Sequence, residues 1–332
     1  MRCVSRLLQG IAVLALCALA AGCAPTITMF GGGDDSLREV SLWGEGKDKV
    51  AFISLRGVIS DEPKEDMWGE RPGTVQAVVS RLELVREDKA VKAVVLAIDS
   101  PGGSVTASDI LYRELQSFKE DTGIPVVAAF MDMAASGGYY VAAAADAIVA
   151  HPTTVTGSIG VIFVRPDVEG LMKWVGVRAD VIKSGRLKDM GSPFRNATAE
   201  EHALLQAMID ENMRRFLDVV RTGRELSPEQ VEAISDARIL TATQALDAGL
   251  VDRIGYLDDA VDEAAALAGI DGPVRLVAYR DAEYPNDTMY NTMSSRAGGL
   301  PRAALDMSMG LSRYLAVPRT GFYYLWAPEM AR

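Results

Sequence analysis

The sequence is poor in the residues that usually activate a nucleophile or hold a metal ion. It has two histidines among 332 residues, and its three cysteines all lie near the N-terminus. No cysteine and histidine pairs stand at metal-ligand spacing, so we expect neither a metal site nor a cofactor. Basic residues are also outnumbered, 34 Lys and Arg against 45 Asp and Glu. The net charge of −11 argues against nucleic acid as a partner.

The N-terminus has the features of a targeting segment. Arg2 and Arg6 precede an apolar run, residues 7–20, that is too short for a comfortable transmembrane helix. Small residues then lead to Cys23, as at a bacterial lipoprotein cleavage site. We therefore predict a signal peptide at residues 1–22 and a lipidated Cys23 that anchors an exported protein to the extracytoplasmic, for example periplasmic, face of a membrane. An uncleaved signal anchor is the alternative.

Composition divides the rest of the chain into three parts. A flexible tether is predicted at residues 23–48, because the run at 31–35 is three glycines and two aspartates. Residues 49–280 have the patterning of a folded domain. Residues 281–332 form a C-terminal extension of unknown role that is rich in methionine and aromatic residues. We expect the extension to pack over the domain or between subunits, with membrane contact as the alternative.

Apolar runs of strand length alternate with segments of helical periodicity through the folded part. That order predicts an α/β fold with a parallel sheet covered by helices. A capping-box pattern at Thr198–Glu201 predicts the start of a long amphipathic helix. The predicted strands are residues 50–55, 93–99, 125–131, 146–150 and 177–182, and the other predicted helices are residues 75–85, 110–118, 141–145, 164–174, 241–248 and 257–267.

Ser136 stands at the predicted junction between a buried strand and an alanine-rich helix. Gly137 and Gly138 follow it and allow an unusual backbone and the close approach of another segment. The free N–H groups and positive dipole end of the helix would lie beside the hydroxyl, which suits an oxyanion and hence acyl transfer. The alternative is that Ser136 is only a helix N-cap, with the glycines serving tight packing.

A serine nucleophile needs a base, and neither histidine belongs to a recognisable triad pattern. His151 lies at a predicted strand end and His202 in the first turn of the long helix, so both are expected to be structural or solvated. A lysine is the remaining candidate, and Lys183 and Lys188 lie in one glycine-punctuated loop. A free lysine has a pKa of ~10.4, which burial in an apolar cleft lowers by several units. Such a cleft would suit hydrophobic peptides.

Four short motifs punctuate the folded part of the chain. They are D-S-P-G-G-S-V at 99–105, M-A-A-S-G-G-Y-Y at 133–140, T-G-S-I-G-V at 156–161 and S-G-x-x-K-D-x-G-S-P at 184–193. In this order they resemble the signal peptide peptidase A family, the protease IV type of serine peptidase. Together they are highly specific, and the resemblance covers about residues 49–267.

The resemblance implies a role for each matching residue. Ser136 takes the position of the family's nucleophile and Lys188 that of its general base. Gly103 matches the oxyanion-hole glycine, and the amide of Gly137, just after the nucleophile, is the natural second donor. Ser158 matches a serine that hydrogen-bonds the lysine, and its alternative is an ordinary turn serine.

The same resemblance implies a fold and an activity. The fold is the Clp protease/crotonase-like type, built from repeated strand-strand-helix units. The activity is that of a membrane-associated serine endopeptidase with a Ser–Lys dyad, which degrades hydrophobic peptides such as released signal peptides. Family members form ring-like homo-oligomers, in some of which the lysine reaches the serine of a neighbouring subunit. Two alternatives stay open: a crotonase-type acyl-CoA enzyme and a non-catalytic lipoprotein scaffold.

Overall fold

The computed structural model describes residues 37–66, 69–281, 287–291 and 320–326. The strands are β1 (Arg38–Trp43), β2 (Asp48–Arg56), β3 (Lys64–Asp66), β4 (Gly69–Arg71), β5 (Val91–Ser100), β6 (Gly102–Ser104), β7 (Val126–Ala135), β8 (Ala147–Ala150), β9 (Val155–Gly157), β10 (Ile162–Val164), β11 (Ile239–Thr241), β12 (Arg253–Ile254), β13 (Val274–Arg280) and β14 (Gly321–Leu325). The helices are α1 (Thr74–Glu87), α2 (Val105–Thr122), α3 (Gly137–Ala142), α4 (Glu169–Val175), α5 (Ala199–Arg224), α6 (Pro228–Ile234), α7 (Ala242–Asp247) and α8 (Leu257–Leu267).

A nine-stranded sheet forms the centre of the molecule. Its order is β1-β13-β2-β5-β7-β8-β12, and β9 also pairs with β7 and carries β11. From β13 to β12 in this order, each strand is parallel to its neighbour. The two antiparallel pairs are β1 with β13 and β11 with β9. The predicted α/β fold with a mostly parallel sheet is therefore confirmed.

Helices cover both faces of the central strands. In β5, Val94, Leu96 and Ile98 belong to one apolar cluster, whereas Val95 and Ala97 belong to a second cluster on the other face. The first cluster includes side chains of α1, α2 and α3, and the second includes side chains of α8. Because both faces are buried, these strands read in the sequence as continuous apolar runs rather than as alternating patterns.

Most predicted elements are present within a few residues of their expected bounds, but one strand prediction is wrong. Residues 177–182 form no strand, and Val181 and Ile182 are exposed. Their β-branched side chains favour extended backbone locally, yet no strand of the described chain pairs with them. The helix expected at 164–174 begins only at Glu169.

The folded part begins earlier in the chain than predicted. Residues 38–43, expected within the tether, form β1 against β13, and Val40 is buried there. The strand β1 is short and of mixed polarity, and its partner strand is far away in the sequence. Local sequence pattern therefore does not identify it. The predicted signal peptide, Cys23 and the rest of residues 1–36 lie outside the described residues.

The C-terminal extension contributes a strand to a second, three-stranded sheet. In this sheet β14 lies between β10 and β6 and is antiparallel to both. Its Tyr324 is fully buried. This part of the extension packs over the domain, as one of the sequence alternatives expected, and residues 282–286, 292–319 and 327–332 lie outside the described chain.

A glycine near the end of α5 allows this helix to approach the chain that follows α3. A Cβ atom on Gly223 would lie 2.2 Å from the carbonyl oxygen of Ala143. On the same helix Phe216 and Val220 are fully buried in the first apolar cluster. The α5 helix therefore holds the segment after Ser136 against the sheet.

Replacing Gly223 with alanine is expected to destabilise the protein by about 1–3 kcal/mol, because the added methyl group overpacks a backbone contact. Urea denaturation followed by circular dichroism measures the effect. Gly170→Ala in α4 is the matched control, since a Cβ atom there meets nothing within 4 Å. This control should leave stability unchanged or raise it by up to ~1 kcal/mol. Equal denaturation midpoints for the two variants would contradict the tight contact.

Candidate active site

Ser136 joins the end of β7 to the start of α3 in a strained backbone conformation. Its φ of 52° and ψ of −115° lie in a region that residues with a side chain rarely adopt. Its N–H donates to the carbonyl oxygen of Gly157 at 2.8 Å, and its own carbonyl oxygen accepts the N–H of Tyr140 at 2.9 Å. The residue is only 1% exposed. Strain of this kind costs about 1–3 kcal/mol and is typical of functional sites.

The hydroxyl group of Ser136 faces the loop that follows β9. Its Oγ lies 3.5 Å from the carbonyl oxygen of Gly160. Ser158, in the same loop, has a positive φ of 50° and donates its backbone N–H to the carbonyl oxygen of Arg238 at 2.8 Å. Ser158 therefore lies in the loop beside the candidate nucleophile, and its lysine-orienting role stays a prediction.

The two amides predicted as oxyanion donors lie close together. A Cβ atom on Gly137 would be 3.1 Å from the backbone nitrogen of Gly103. Gly102 has a φ of 101°, and a Cβ atom on it would be 2.7 Å from the nitrogen of Gly137, so no side chain fits there. The hydroxyl of Ser100 accepts the N–H of Gly102 at 3.1 Å and fixes this turn. Donors held in this way can stabilise a negative oxygen that develops beside a serine.

Lys188 lies in an exposed turn and forms no hydrogen bond with Ser136 in the described chain. Its backbone N–H donates to the carbonyl oxygen of Gly185 at 3.1 Å. Its side-chain amine has no ion pair among the described residues. Lys183, the other lysine of this loop, pairs with Asp189 at 2.6 Å. Within the described chain, the predicted partners Ser136 and Lys188 are therefore not joined by a hydrogen bond.

An ion-pair network that the sequence analysis missed ties the Lys188 loop to the start of α5. Arg195 donates to Asp189 at 2.9 Å and to Glu201 at 2.5 Å. Hydrogen bonds from Arg195 and Lys183 hold the pKa of Asp189 well below its usual range. A hydrogen bond from Arg195 lowers the pKa of Glu201 to about 2. Asp189 thus links Lys183 and Arg195 within this loop.

The surroundings of the two histidines do not indicate a catalytic role for either. His151 Nδ1 is 2.8 Å from the hydroxyl oxygen of Thr153, and its ring meets that of Tyr256 edge-on at 5.0 Å. His202 is exposed on α5. Within the described residues, neither forms a hydrogen bond with Ser136, which agrees with the expectation that both are structural or solvated.

An aromatic cluster, made of Tyr112, Tyr140, Phe216 and Tyr324, lies beside the candidate nucleophile. The Tyr140 ring stacks on Tyr324 with centroids 5.1 Å apart, and Phe216 lies 4.6 Å from Tyr324. The Tyr140 hydroxyl donates to Asp109 at 2.6 Å. Helical periodicity and the M-A-A-S-G-G-Y-Y motif point to Phe216 and Tyr140, whereas no sequence signal assigned Tyr324 to this site.

The described residues contain no group of three or more His, Cys, Asp or Glu side chains that could hold a metal ion. Over those same ranges, none of the helices combines the length and the apolar character needed to cross a membrane.

Comparison with known proteins connects this geometry to a class of enzyme. The family model for peptidase family S49 matches residues 118–271, and that for Clp protease matches residues 71–155. The chain is 36% identical over 260 residues to a protein of Enterococcus faecium named "Putative signal peptide peptidase SppA", covering 78% of this chain and 74% of the relative. It is 38% identical over 221 residues to Protease 4 of Salmonella typhi, covering 66% of this chain and 34% of the relative.

The fold and these matches define the class: the protein is a serine peptidase with a Clp protease-like domain. Within that class, the chain belongs to peptidase family S49.

The Arg195 network predicts how the stability of the Lys188 loop depends on pH. Both carboxylates have lowered pKa values in the folded protein, so their stabilising effect is present above their unfolded pKa of ~4 and is lost as the pH falls through the lower folded values. We expect amide hydrogen exchange in residues 185–195 to be slow at pH 7 and, after correction for the intrinsic pH dependence of exchange, to accelerate below pH ~4.

The variant Arg195→Gln should show faster exchange in this loop already at pH 7, because Glu201 and Asp189 both lose the guanidinium group and only the ion pair between Asp189 and Lys183 remains. Arg186→Gln is the control, since Arg186 is an exposed partner of Glu200 and such surface pairs contribute little. Equal exchange in the two variants would show that the Arg195 network does not hold the loop.

Proposed function

We propose that this protein is a membrane-anchored endopeptidase that degrades hydrophobic peptides, including released signal peptides, with Ser136 as nucleophile and Lys188 as general base. The observation that carries the proposal is the strained, buried backbone of Ser136 beside the amides of Gly103 and Gly137. The name of the Enterococcus faecium relative supports signal peptides as substrates.

The proposed reaction uses each group at a defined step. The Ser136 Oγ attacks the peptide carbonyl carbon while the neutral amine of Lys188 takes its proton. The N–H groups of Gly103 and Gly137 stabilise the oxyanion that forms. The Lys188 ammonium then protonates the leaving amine, which breaks the peptide bond and leaves an acyl-enzyme. Lys188 then takes a proton from water, whose oxygen attacks the ester carbon, and returns that proton to the Ser136 Oγ as the acid product leaves.

We propose that the dyad forms between neighbouring copies of the chain. Lys188 is exposed and forms no hydrogen bond with Ser136 within the described protomer. Just before its loop in the chain lies a run of exposed apolar side chains, here called the apolar face, that a second copy would bury. This apolar face consists of Leu171, Trp174, Val175, Val177, Val181 and Ile182.

Ser136→Ala and Lys188→Ala are each expected to abolish cleavage of a hydrophobic signal peptide between pH 6 and 10. The loss for Lys188→Ala should be about 10²–10⁴-fold in kcat, the usual contribution of a general base. An equimolar, co-assembled mixture of the two variants should recover activity, because about a quarter of randomly assembled sites join an intact serine to an intact lysine. The cleaved peptide is quantified by chromatography.

Lys183→Ala is the matched control and should keep most of the activity, since its amine pairs with Asp189 rather than with the serine. An inactive mixture whose subunits have exchanged would contradict a dyad formed between subunits. Full activity of Lys188→Ala would contradict the lysine base itself. An acyl-CoA enzyme would retain activity without Ser136, and a scaffold would show no cleavage in any variant.

The membrane anchor is proposed on the sequence alone, from the small residues that lead to Cys23. Cys23→Ser should block lipid attachment, because the thiol is the group that carries the lipid. In a bacterial host, metabolic labelling with a radioactive fatty acid should mark the wild type and not the variant. Labelling of the variant would contradict lipidation at Cys23.

A further inference from the structure

One carboxylate joins the helix that follows the candidate nucleophile to two neighbouring helices. Asp109, in α2, accepts a hydrogen bond from the hydroxyl of Tyr140, in α3, at 2.6 Å. The same carboxylate oxygen accepts two hydrogen bonds from the guanidinium group of Arg215, in α5, at 2.9 and 2.6 Å. Hydrogen bonds to an ionised group are stronger than those between neutral groups, so this carboxylate ties three helices together at one point.

Tyr140 is also bonded directly to the backbone of Ser136. Its N–H donates to the carbonyl oxygen of Ser136 at 2.9 Å, which closes the first turn of α3. This helix has only six residues, Gly137–Ala142, and begins with two glycines. Glycine has a low helix propensity, and a helix this short is stable only through tertiary contacts. An anchor on the Tyr140 side chain therefore acts within one turn of the strained serine.

The Tyr140 side chain is held at both its ring and its hydroxyl. Tyr140 is fully buried, and its ring meets Tyr112 and Phe216 edge-on, with centroids 5.4 and 5.0 Å away. Burial, and then the hydrogen bond to Asp109, raise the pKa of the Tyr140 hydroxyl well above its ordinary value of ~10. The hydroxyl therefore keeps its proton and stays a donor to Asp109 at neutral and mildly alkaline pH.

We propose that Asp109 is a positioning residue of the acyl-transfer site, which fixes the first turn of α3 by holding the hydroxyl of Tyr140. A fixed first turn sets the place of the Ser136 hydroxyl and of the Gly137 amide. The inference rests on the proposed function of Ser136. Asp109 acts through the backbone hydrogen bond between Tyr140 and Ser136 and needs no contact with the substrate. A displacement of about 1 Å at a reacting group can lower a rate about a hundredfold, so a small rotation of α3 should be visible in kcat.

Tyr140→Phe in the full chain is the first test, because it removes the hydroxyl and keeps the ring. It should lower kcat for a hydrophobic peptide by about tenfold, since the nucleophile and the oxyanion donor lose their exact placement. KM should change by less than about twofold, because the packing of the ring is retained. An unchanged kcat would overturn the proposal.

Tyr139→Phe is the matched control. Tyr139 precedes Tyr140 in α3 and is equally buried, and its hydroxyl donates to the carbonyl oxygen of Leu250 at 2.7 Å. Each variant loses one buried hydrogen bond, so thermal unfolding should show similar losses of stability. Only Tyr140 is bonded to both Asp109 and Ser136, so the control should keep kcat within about twofold of the wild type. An equal fall in kcat for the two variants would overturn the proposal, because any weakening of α3 would then be sufficient.

A double-mutant cycle tests the carboxylate. Asp109→Ala should lower kcat about as much as Tyr140→Phe does, and the double variant should be no slower than either, because the hydroxyl acts through the carboxylate. Additive losses, about a hundredfold in the double variant, would overturn the proposal. If Asp109→Ala loses its cooperative thermal transition, Asp109→Asn replaces it, since the amide oxygen is a weaker acceptor of nearly the same shape. Adding Tyr140→Phe to Asp109→Asn should then cost less than it does in the wild type, and an equal cost would overturn the proposal.

Amide hydrogen exchange separates this inference from the proposed catalysis, because it needs no substrate. Followed by mass spectrometry, the segment 137–143 should exchange at least about tenfold faster in Tyr140→Phe than in Tyr139→Phe, since only the first variant frees the turn that is bonded to Ser136. Equal exchange in the two variants would overturn the positioning role. Absence of peptide cleavage by the wild type, with the difference in exchange present, would overturn only the proposed function.

Discussion

The site depends on one constraint, the left-handed backbone that Ser136 is forced to adopt between a strand and a helix. The constraint is enforced from both sides, by the pairing of its N–H with Gly157 and by the first turn of α3. Residues on either side, Ala135 and Gly137, are buried. A strained conformation of this kind persists only where the surrounding packing determines it, and here the sheet and α5 together supply that packing.

The same constraint accounts for the small residues around the serine. A side chain on Gly102 would meet the backbone nitrogen of Gly137 at the start of α3, and one on Gly103 would meet the backbone of Ile59. Ser100 holds this turn through its hydroxyl group. The backbone amides are therefore placed by the fold before any ligand arrives, and such preorganisation is the main source of electrostatic stabilisation in enzymes.

The loop that carries Lys188 is stabilised by a different kind of interaction. The Lys188 loop is held by ion pairs around Arg195, and none of residues 184–193 belongs to either apolar core cluster. It follows the apolar face in the chain, whose side chains are exposed in the protomer. The nucleophile is buried, whereas the lysine loop is exposed on the same chain. In the proposed dyad, assembly of copies would therefore control activity, because it would bring Lys188 of one copy to Ser136 of another.

Local sequence pattern was enough to predict the strands around β5, the long helix that follows Thr198 and the position of Ser136 at a strand-to-helix junction. Burial on both faces of a strand and helix capping each produce a pattern in neighbouring residues, which is why these elements could be predicted. It failed at residues 177–182, where β-branched side chains occur without a partner strand, and at β1, whose partner β13 is distant in the chain. Only the tertiary structure decided the ion pairs of Arg195 that hold the Lys188 loop and the placement of Tyr324 beside Gly103. Contacts of this kind arise from packing between distant segments, which no local periodicity encodes.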